Sequence, residues 1–216
     1  MSTKLQIDFV SDVACPWCAI GLASLEEGLR RIGDAVDAEI HFQPFELNPG
    51  MRPGGENIDQ FIGGRYGADP AQMAAMRENV RARAAGVGLR FNQDGSSRIY
   101  NTFDAHRLLH WAQQTDRQQA LKHALFQANF SDNADVSDQE VLVAAAITAG
   151  LDGAEAREVL VTGRYANEVR EAEQLWLSRG IQAVPGIVIN GKWLISGGQP
   201  PEVFEKTLRE IAAKSG

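Results

Sequence analysis

A chain of 216 residues with 44% hydrophobic side chains can bury a substantial core, as one large domain or two small ones. Its formal charge of −7 argues against nucleic acid or an anionic membrane as the main partner. Acidic breaks at Asp8 and Asp12 leave no continuous apolar stretch for a signal peptide, no run approaches membrane-span length, and two cysteines make no structural disulfide scaffold. A cytoplasmic location is therefore expected.

Leu5, Ile7 and Phe9 alternate with Gln6 and Asp8 and run into Val10, which predicts a short strand. Downstream, Leu22, Leu25, Leu29 and Ile32 recur at helical spacing, with Gly33 where a helix C-terminus favours glycine. Between strand and helix stands Cys15-Pro16-Trp17-Cys18. Pro16 suits the first helical turn, because its missing N–H would have had no partner there. Cys15 thus falls at a helix N-terminus, where free N–H groups and the helix dipole favour an anion such as a thiolate. Cys15 is the expected nucleophile, and Cys18, one turn further on and more enclosed, is placed to attack a mixed disulfide formed there. The same residues also admit an inert pair of core cysteines, or half a zinc site completed by His106 and His110. Pro16 stiffens the loop and the strand-then-helix setting differs from zinc knuckles, so dithiol–disulfide exchange is the stronger expectation.

Ile40 and Phe42 alternate with Glu39, His41 and Gln43 in a second strand ending at Pro44. Strand, helix and strand in close succession make a βαβ unit with parallel neighbours. Phe45 to Gly50 reads as an exit loop into a long helical region. Asp69 caps a helix starting at Pro70, with Gln72 at the capping-box position and Met73, Met76 and Val80 on one face, both methionines read as core. Gly86 and Gly88 end that helix, and Gly95-Ser96-Ser97 is a loop. Asn101 or Thr102 caps the next helix, with Ala105, Leu108, Leu109 and Ala112 buried. Further helices are expected from about Arg117 to Ala128 with Leu121 and Leu125 inward, then from a Ser137/Glu140 capping box to before Gly150, and from about Ala154 to Leu160. A longer one spans about Tyr165 to Arg179, with Val169, Ala172 and Trp176 in step and Gly180 as its stop. Ile187 to Ile189, Asn190-Gly191 and Trp193 to Ile195 form a hairpin, and Gly197-Gly198 breaks its second strand. Pro200 and Pro201 start a last helix with Val203, Phe204, Leu208 and Ile211 inward.

Val184-Pro185 precedes the hairpin, an awkward place for proline unless it takes the first strand position or a cis turn. The order βαβ, helices, ββα, with Cys-x-x-Cys after the first strand and proline before the hairpin, resembles the thioredoxin fold. Over essentially its whole length the chain resembles the DsbA-like oxidoreductases, and within them the cytoplasmic FrnE-type branch. The resemblance rests on Asp12-Val13-Ala14-Cys15-Pro16-Trp17-Cys18-Ala19-Ile20-Gly21, on Phe42-Gln43-Pro44-Phe45-Glu46-Leu47-Asn48-Pro49 and on Asn101-Thr102-Phe103-Asp104-Ala105-His106-Arg107-Leu108. It rests also on Val184-Pro185-Gly186 and on Ile195-Ser196-Gly197-Gly198-Gln199-Pro200-Pro201.

That resemblance implies an α/β, thioredoxin-like domain, residues 1–60 and 163–216, interrupted by an inserted all-helical domain over 61–162, with the active site between them. Cys15 would attack, Cys18 would resolve, and Pro185 would be a cis-proline facing them, with Val184 offering backbone groups to an extended substrate. Trp17 stands where periplasmic DsbA enzymes carry histidine, which removes a cationic stabiliser of the thiolate; it is expected to pack on substrate or on the helical domain. His106, in a shared stretch, is a weaker binding candidate, with a core histidine as the other reading. The implied chemistry is that of a thiol–disulfide oxidoreductase or isomerase acting on protein or small-molecule thiols and disulfides. The Cys15–Cys18 pair would be the only redox centre, with no metal and no other cofactor; glutathione could serve as co-substrate, and a homodimer is one form the protein could take. Two other functions fit less well. One is a glutathione-dependent isomerase or transferase of the hydroxychromene-carboxylate isomerase or kappa type, where serine usually replaces the first cysteine. The other is a non-catalytic, thiol-dependent holdase for unfolded clients.

Overall fold

A computed structural model describes the protein from residue 2 to residue 215. Strand β1 (Thr3–Ser11) leads through the Cys15 loop into helix α1 (Pro16–Ile32), and a short 3-10 turn at Gly33–Ala35 delivers β2 (Val36–Pro44). Gly33 takes φ 61°, a left-handed value that suits glycine at this C-terminus. β1 and β2 are parallel from Thr3 opposite Val36 to Ser11 opposite Pro44, as the βαβ pattern requires. A two-residue strand β3 (Glu56–Asn57) precedes α2 (Ile58–Tyr66) and α3 (Pro70–Ala85), and β4 (Arg98–Ile99) returns to pair with it antiparallel. Next come α4 (Phe103–Gln113), α5 (Gln118–Phe126) with a π-helical turn at Gln127–Ser131, α6 (Gln139–Thr148), α7 (Gly153–Thr162) and α8 (Ala166–Ser178). The hairpin β5 (Gly186–Ile189) and β6 (Trp193–Ser196) and helix α9 (Pro201–Ser215) complete the chain. The main sheet runs β2-β1-β5-β6, with β5 antiparallel to both its neighbours. This is the expected thioredoxin-like α/β architecture with a helical insertion.

β1 lies inside the sheet, and from Ile7 to Ser11 every residue is buried. The half-buried alternation legible in the sequence therefore holds only at its entry. At its exit, neighbouring strands and helices enclose both faces, Asp8 and Ser11 included. Asn190 and Gly191 take φ 51° and 64°, both left-handed, in a three-residue connection closed by Lys192 N–H donating to the Ile189 carbonyl at 3.0 Å. Asn190 also extends the β1–β5 ladder, because its N–H donates to the Gln6 carbonyl and its Oδ1 accepts from the Gln6 N–H. Helix α9 lies on α1, and Gly28 makes the approach feasible: a Cβ there would stand 3.0 Å from the Phe204 Cβ. The helical segment closes on the exposed edge of β2. At that edge, where an unpaired strand would invite association, the buried Gln118 carboxamide accepts from Phe42 N–H at 2.9 Å and donates to its carbonyl at 3.0 Å.

Several sequence expectations are corrected. Helix α2 was not anticipated, because Gly63-Gly64 lowers its propensity; Asn57 caps it by accepting from Gln60 N–H. Met73 is core, but Met76 is 47% exposed, since the inward line of α3 runs through Met73, Arg77, Val80 and Ala84. Val203 is likewise exposed, unlike Phe204, Leu208 and Ile211. The cap of α6 is Asp138, which accepts from Glu140 N–H, while Ser137 turns to Asp135. Before α4 both candidates share the cap, Thr102 by position and Asn101 by accepting from Phe103 N–H.

The C-terminus of α7 is closed by a buried cation from α4. The Arg107 guanidinium donates to the Arg164 carbonyl at 2.8 Å, to the Val159 and Leu160 carbonyls, and to Asp104 at 2.7 Å. Positive charge there satisfies carbonyls that the helix itself leaves unpaired. Arg107→Leu should lower unfolding free energy by about 2–4 kcal/mol in urea titration. A change below about 0.5 kcal/mol, the range of ordinary surface substitutions, would show that Arg107 does not close this helix.

Candidate active site

The site forms where β1 runs out. Cys15 occupies the N-cap of α1 in extended conformation (φ −92°, ψ 111°), and Pro16 takes the first helical position. The Cys15 side chain caps none of the helix N–H groups; its carbonyl accepts from Cys18 N–H at 3.0 Å. The Cys15 thiol instead faces the Val184 carbonyl at 3.9 Å, across a Val184–Pro185 peptide that is cis. The structure thus brings Cys15, Cys18, Val184 and Pro185 together, although 166 and more residues separate the two segments in sequence. Both cysteines are free thiols; Cys18 is completely buried and Cys15 retains a sliver of surface.

Two glycines make this approach feasible. A Cβ on Gly21 would stand 3.1 Å from Gly198 Cα and 3.2 Å from the Pro185 ring, and one on Gly198 would stand 2.8 Å from the Trp17 carbonyl. The first turns of α1 therefore sit directly against the cis-proline segment and the loop after β6. Gly197 N–H donates to the Pro185 carbonyl at 2.8 Å and fixes that loop in turn. Trp17 is partly buried and packs on the cluster that holds both cysteines.

Asp12 anchors the loop from beneath. It is 1% exposed, its Oδ2 accepts from Leu47 N–H at 2.7 Å, and its Oδ1 accepts from Ala14 N–H at 3.1 Å. Burial alone would raise its pKa, but His106, Leu47 N–H and Thr102 outweigh burial and hold the carboxyl below its ordinary value. His106 is itself buried, with Nε2 3.6 Å from Asp12 Oδ1, so it stands behind the loop and not on an open surface. His110 packs its ring against Tyr165 at 5.2 Å. No group of three or more His, Cys, Asp or Glu side chains among the described residues has metal-holding geometry, which leaves the zinc arrangement without structural support. From the π-helical turn, Asn129 donates to the Val13 carbonyl at 3.1 Å. The thiol of Cys18 is pushed well above its ordinary value, first by burial and then by the adjacent Cys15 sulfur. It therefore stays protonated while the chain is at rest.

Two contributors escaped sequence reading. Asp12 was legible only as a junction residue, because its partners at Leu47 and His106 are distant in the chain. Lys122 carries no motif of its own, but Gln118, Leu121, Lys122, Leu125 and Phe126 form one buried helical stripe. A lysine within such a stripe was the available signal.

Asp12 also carries a pH signature. A carboxyl whose folded value lies below its unfolded one stabilises the fold above the unfolded value, near pH 4, and loses that contribution as pH falls through the folded value. Asp12→Asn should lower the melting temperature at pH 7, and the gap from wild type should shrink as pH approaches 3. A gap independent of pH between 7 and 3 would show that the Asp12 charge does not hold the loop.

Comparison with known proteins agrees with this fold. A probable DsbA oxidoreductase from Streptomyces coelicolor is 35% identical and superposes with a TM-score of 0.91 over 98% of this chain and 91% of its own. A putative protein disulfide isomerase from Nitrosomonas europaea shares the fold at 19% identity, with a TM-score of 0.74 over 99% of this chain and all of its own. The uncharacterized protein YwbO of Bacillus subtilis is 28% identical over 211 residues, 97% of this chain and 98% of its own. The DSBA-like thioredoxin domain matches residues 6–209, from within β1 into α9, and the chain belongs to that family.

Proposed function

We propose that the protein is a thiol–disulfide oxidoreductase or isomerase of the cytoplasmic FrnE-type branch, acting through the Cys15–Cys18 dithiol. The observation that carries this reading is the Cys15 thiol at the start of α1, 3.9 Å from the Val184 carbonyl, with Cys18 sealed behind it. Membership of a DsbA-like family supports thiol–disulfide chemistry in the coarser sense. The described residues contain no helix long and apolar enough to cross a membrane.

In this mechanism the Cys15 thiolate attacks one sulfur of a substrate disulfide. A Cys15–substrate bond forms, the substrate S–S bond breaks, and the electron pair leaves on the second substrate sulfur, which takes a proton from solvent. Cys18 then loses its proton and attacks Cys15 Sγ, so that the internal disulfide forms and the remaining substrate thiol departs. Run backwards, the same steps oxidise a dithiol substrate. Val184 would offer main-chain groups to an extended client beside Cys15, in the manner of strand addition. Trp17 would pack against that client, and His106 would act through Asp12 without touching it. Glutathione would serve as a small co-substrate, with no cofactor beyond the dithiol. The division of the chain into 1–60 with 163–216 and an inserted 61–162 is part of this proposal: His106 and Asn129 would make the insertion a buttress of the catalytic loop.

Cysteine at position 15 favours exchange over the isomerase and transferase chemistry that usually uses serine there. A holdase would bind clients without turnover. Incubation of Cys18→Ser with oxidised glutathione should trap a mixed disulfide at Cys15, visible by mass spectrometry, whereas Cys15→Ser should trap none. Equal adducts on both variants would rule out the ordered mechanism, and a wild-type chain that turns over no disulfide substrate would remove the enzyme reading.

A further inference from the structure

Over two aromatic rings of the core cluster that also holds the dithiol stands a cation that the exchange steps do not use. Lys122 is 0% exposed, a state rare for lysine unless it is paired, and its Nζ has no hydrogen-bond partner among the described residues. Ring faces take the place of partners: Nζ stands 4.9 Å from the centroid of Phe126, one turn on in α5, and 5.9 Å from that of Phe42 in β2. The ionisable groups that bear on it come from across the interface, namely Cys18 and Cys15 at the start of α1 and Asp12 in the loop before them.

Other charges near α5 are committed elsewhere. From β2, His41 meets Glu39 and Gln113; from α4, His106 meets Asp12, and His110 packs on Tyr165. The next residue of α5, His123, takes Glu26 of α1, while the buried residues of α6 are Leu142, Val143, Ala145 and Ala146. The π-helical turn presents Asn129, bonded to the Val13 carbonyl. An ammonium held in this dry site is therefore supported by Asp12 and by whatever negative charge the two sulfurs carry. Burial brings Lys122 down to about 8, and charge on Cys18, Asp12 and Cys15 opposes that fall. The sulfur contribution exists only while the pair is reduced.

We propose that Lys122 is a redox-linked proton site, which takes up a proton when the Cys15–Cys18 disulfide is reduced and releases it when the disulfide re-forms. The inference rests on the dithiol reading above and adds a residue from the helical segment to it. With glutathione as the reductant, two glutathione thiols supply two electrons and two protons. The Cys15–Cys18 bond breaks and glutathione disulfide forms. One proton goes to Cys18 Sγ, the other to Lys122 Nζ, and Cys15 is left as the thiolate. Oxidation reverses each transfer: the sulfurs lose their negative charge, and an ammonium without hydrogen bonds gives up its proton rather than remain charged in an apolar site. Trp17 brings no charge to the loop, and Lys122 supplies from the core a cation that bears on the Cys18 thiol.

The test is equilibration of wild type and Lys122→Met against reduced and oxidised glutathione from pH 6.5 to 9, with the thiol and disulfide forms counted by mass spectrometry. At pH 7 the variant should favour the disulfide by about tenfold, because the reduced pair loses its buried cation. Where Lys122 changes protonation with redox state, raising pH should favour the wild-type disulfide by up to about one additional power of ten per pH unit over the variant. A second measurement uses the wild-type chain alone. Of the five lysines, one followed by NMR of labelled Cε should titrate at higher pH in the reduced protein than in the oxidised one. Equal pH slopes in the two proteins, or lysine titrations independent of redox state, would overturn the inference and leave the dithiol mechanism standing. A wild-type chain that forms no Cys15–Cys18 disulfide at any glutathione ratio would remove both.

Discussion

A carboxylate taken wholly out of water must be repaid in hydrogen bonds, and at Asp12 the repayment builds the site. Its two oxygens accept from Ala14 N–H within the loop and from Leu47 N–H after β2, and His106 of α4 stands 3.6 Å away as a charge partner. Two remote segments are thereby held against the turn that presents Cys15. Without that convergence, α1 would still form from its own periodicity, but the loop before it would lose its anchor to β2 and α4.

Against this fixed loop the other side of the site is set by close packing. The absence of side chains at Gly21 and Gly198 lets α1, the cis-proline segment and the loop after β6 meet at backbone distance. The outcome is an asymmetric pair of sulfurs. Cys15 faces the Val184 carbonyl and keeps what little surface there is; Cys18 lies in the core, where burial favours its neutral thiol. In the proposed mechanism that asymmetry separates the attacking from the resolving cysteine. The helical segment reaches this site through Asn129, which donates to the loop backbone at Val13.

What was legible in the sequence was local. β1, α1, the Asn190-Gly191 hairpin and α9 each announce themselves through their own periodicity and turn residues, and Pro16 with Cys15 marks the helix start within a few positions. Val184-Pro185 became meaningful through its place before a hairpin, once the Cys-x-x-Cys had been recognised. What was not legible depends on partners far along the chain. Asp12 looks like any acidic residue in a turn until Leu47 and His106 arrive, and Met76 looks like core until α3 settles with Arg77 on its inward line, paired with Asp59. Helix α2, with adjacent glycines, holds its shape through Asn57 and that same Asp59–Arg77 pair, which no window of sequence reveals. Lys122 lay between the two cases: its helical stripe was readable, but not the dithiol on the far side of it.

The central claim is that the two cysteines are unequal, one attacking and one resolving. The most direct measurement is brief treatment of the fully reduced wild-type protein with iodoacetamide at neutral pH, followed by peptide mapping. The structure predicts that label appears first and almost solely on Cys15, because Cys18 is sealed beneath it and held as a thiol. Label arriving first on Cys18, or at equal rates on both, would contradict the account.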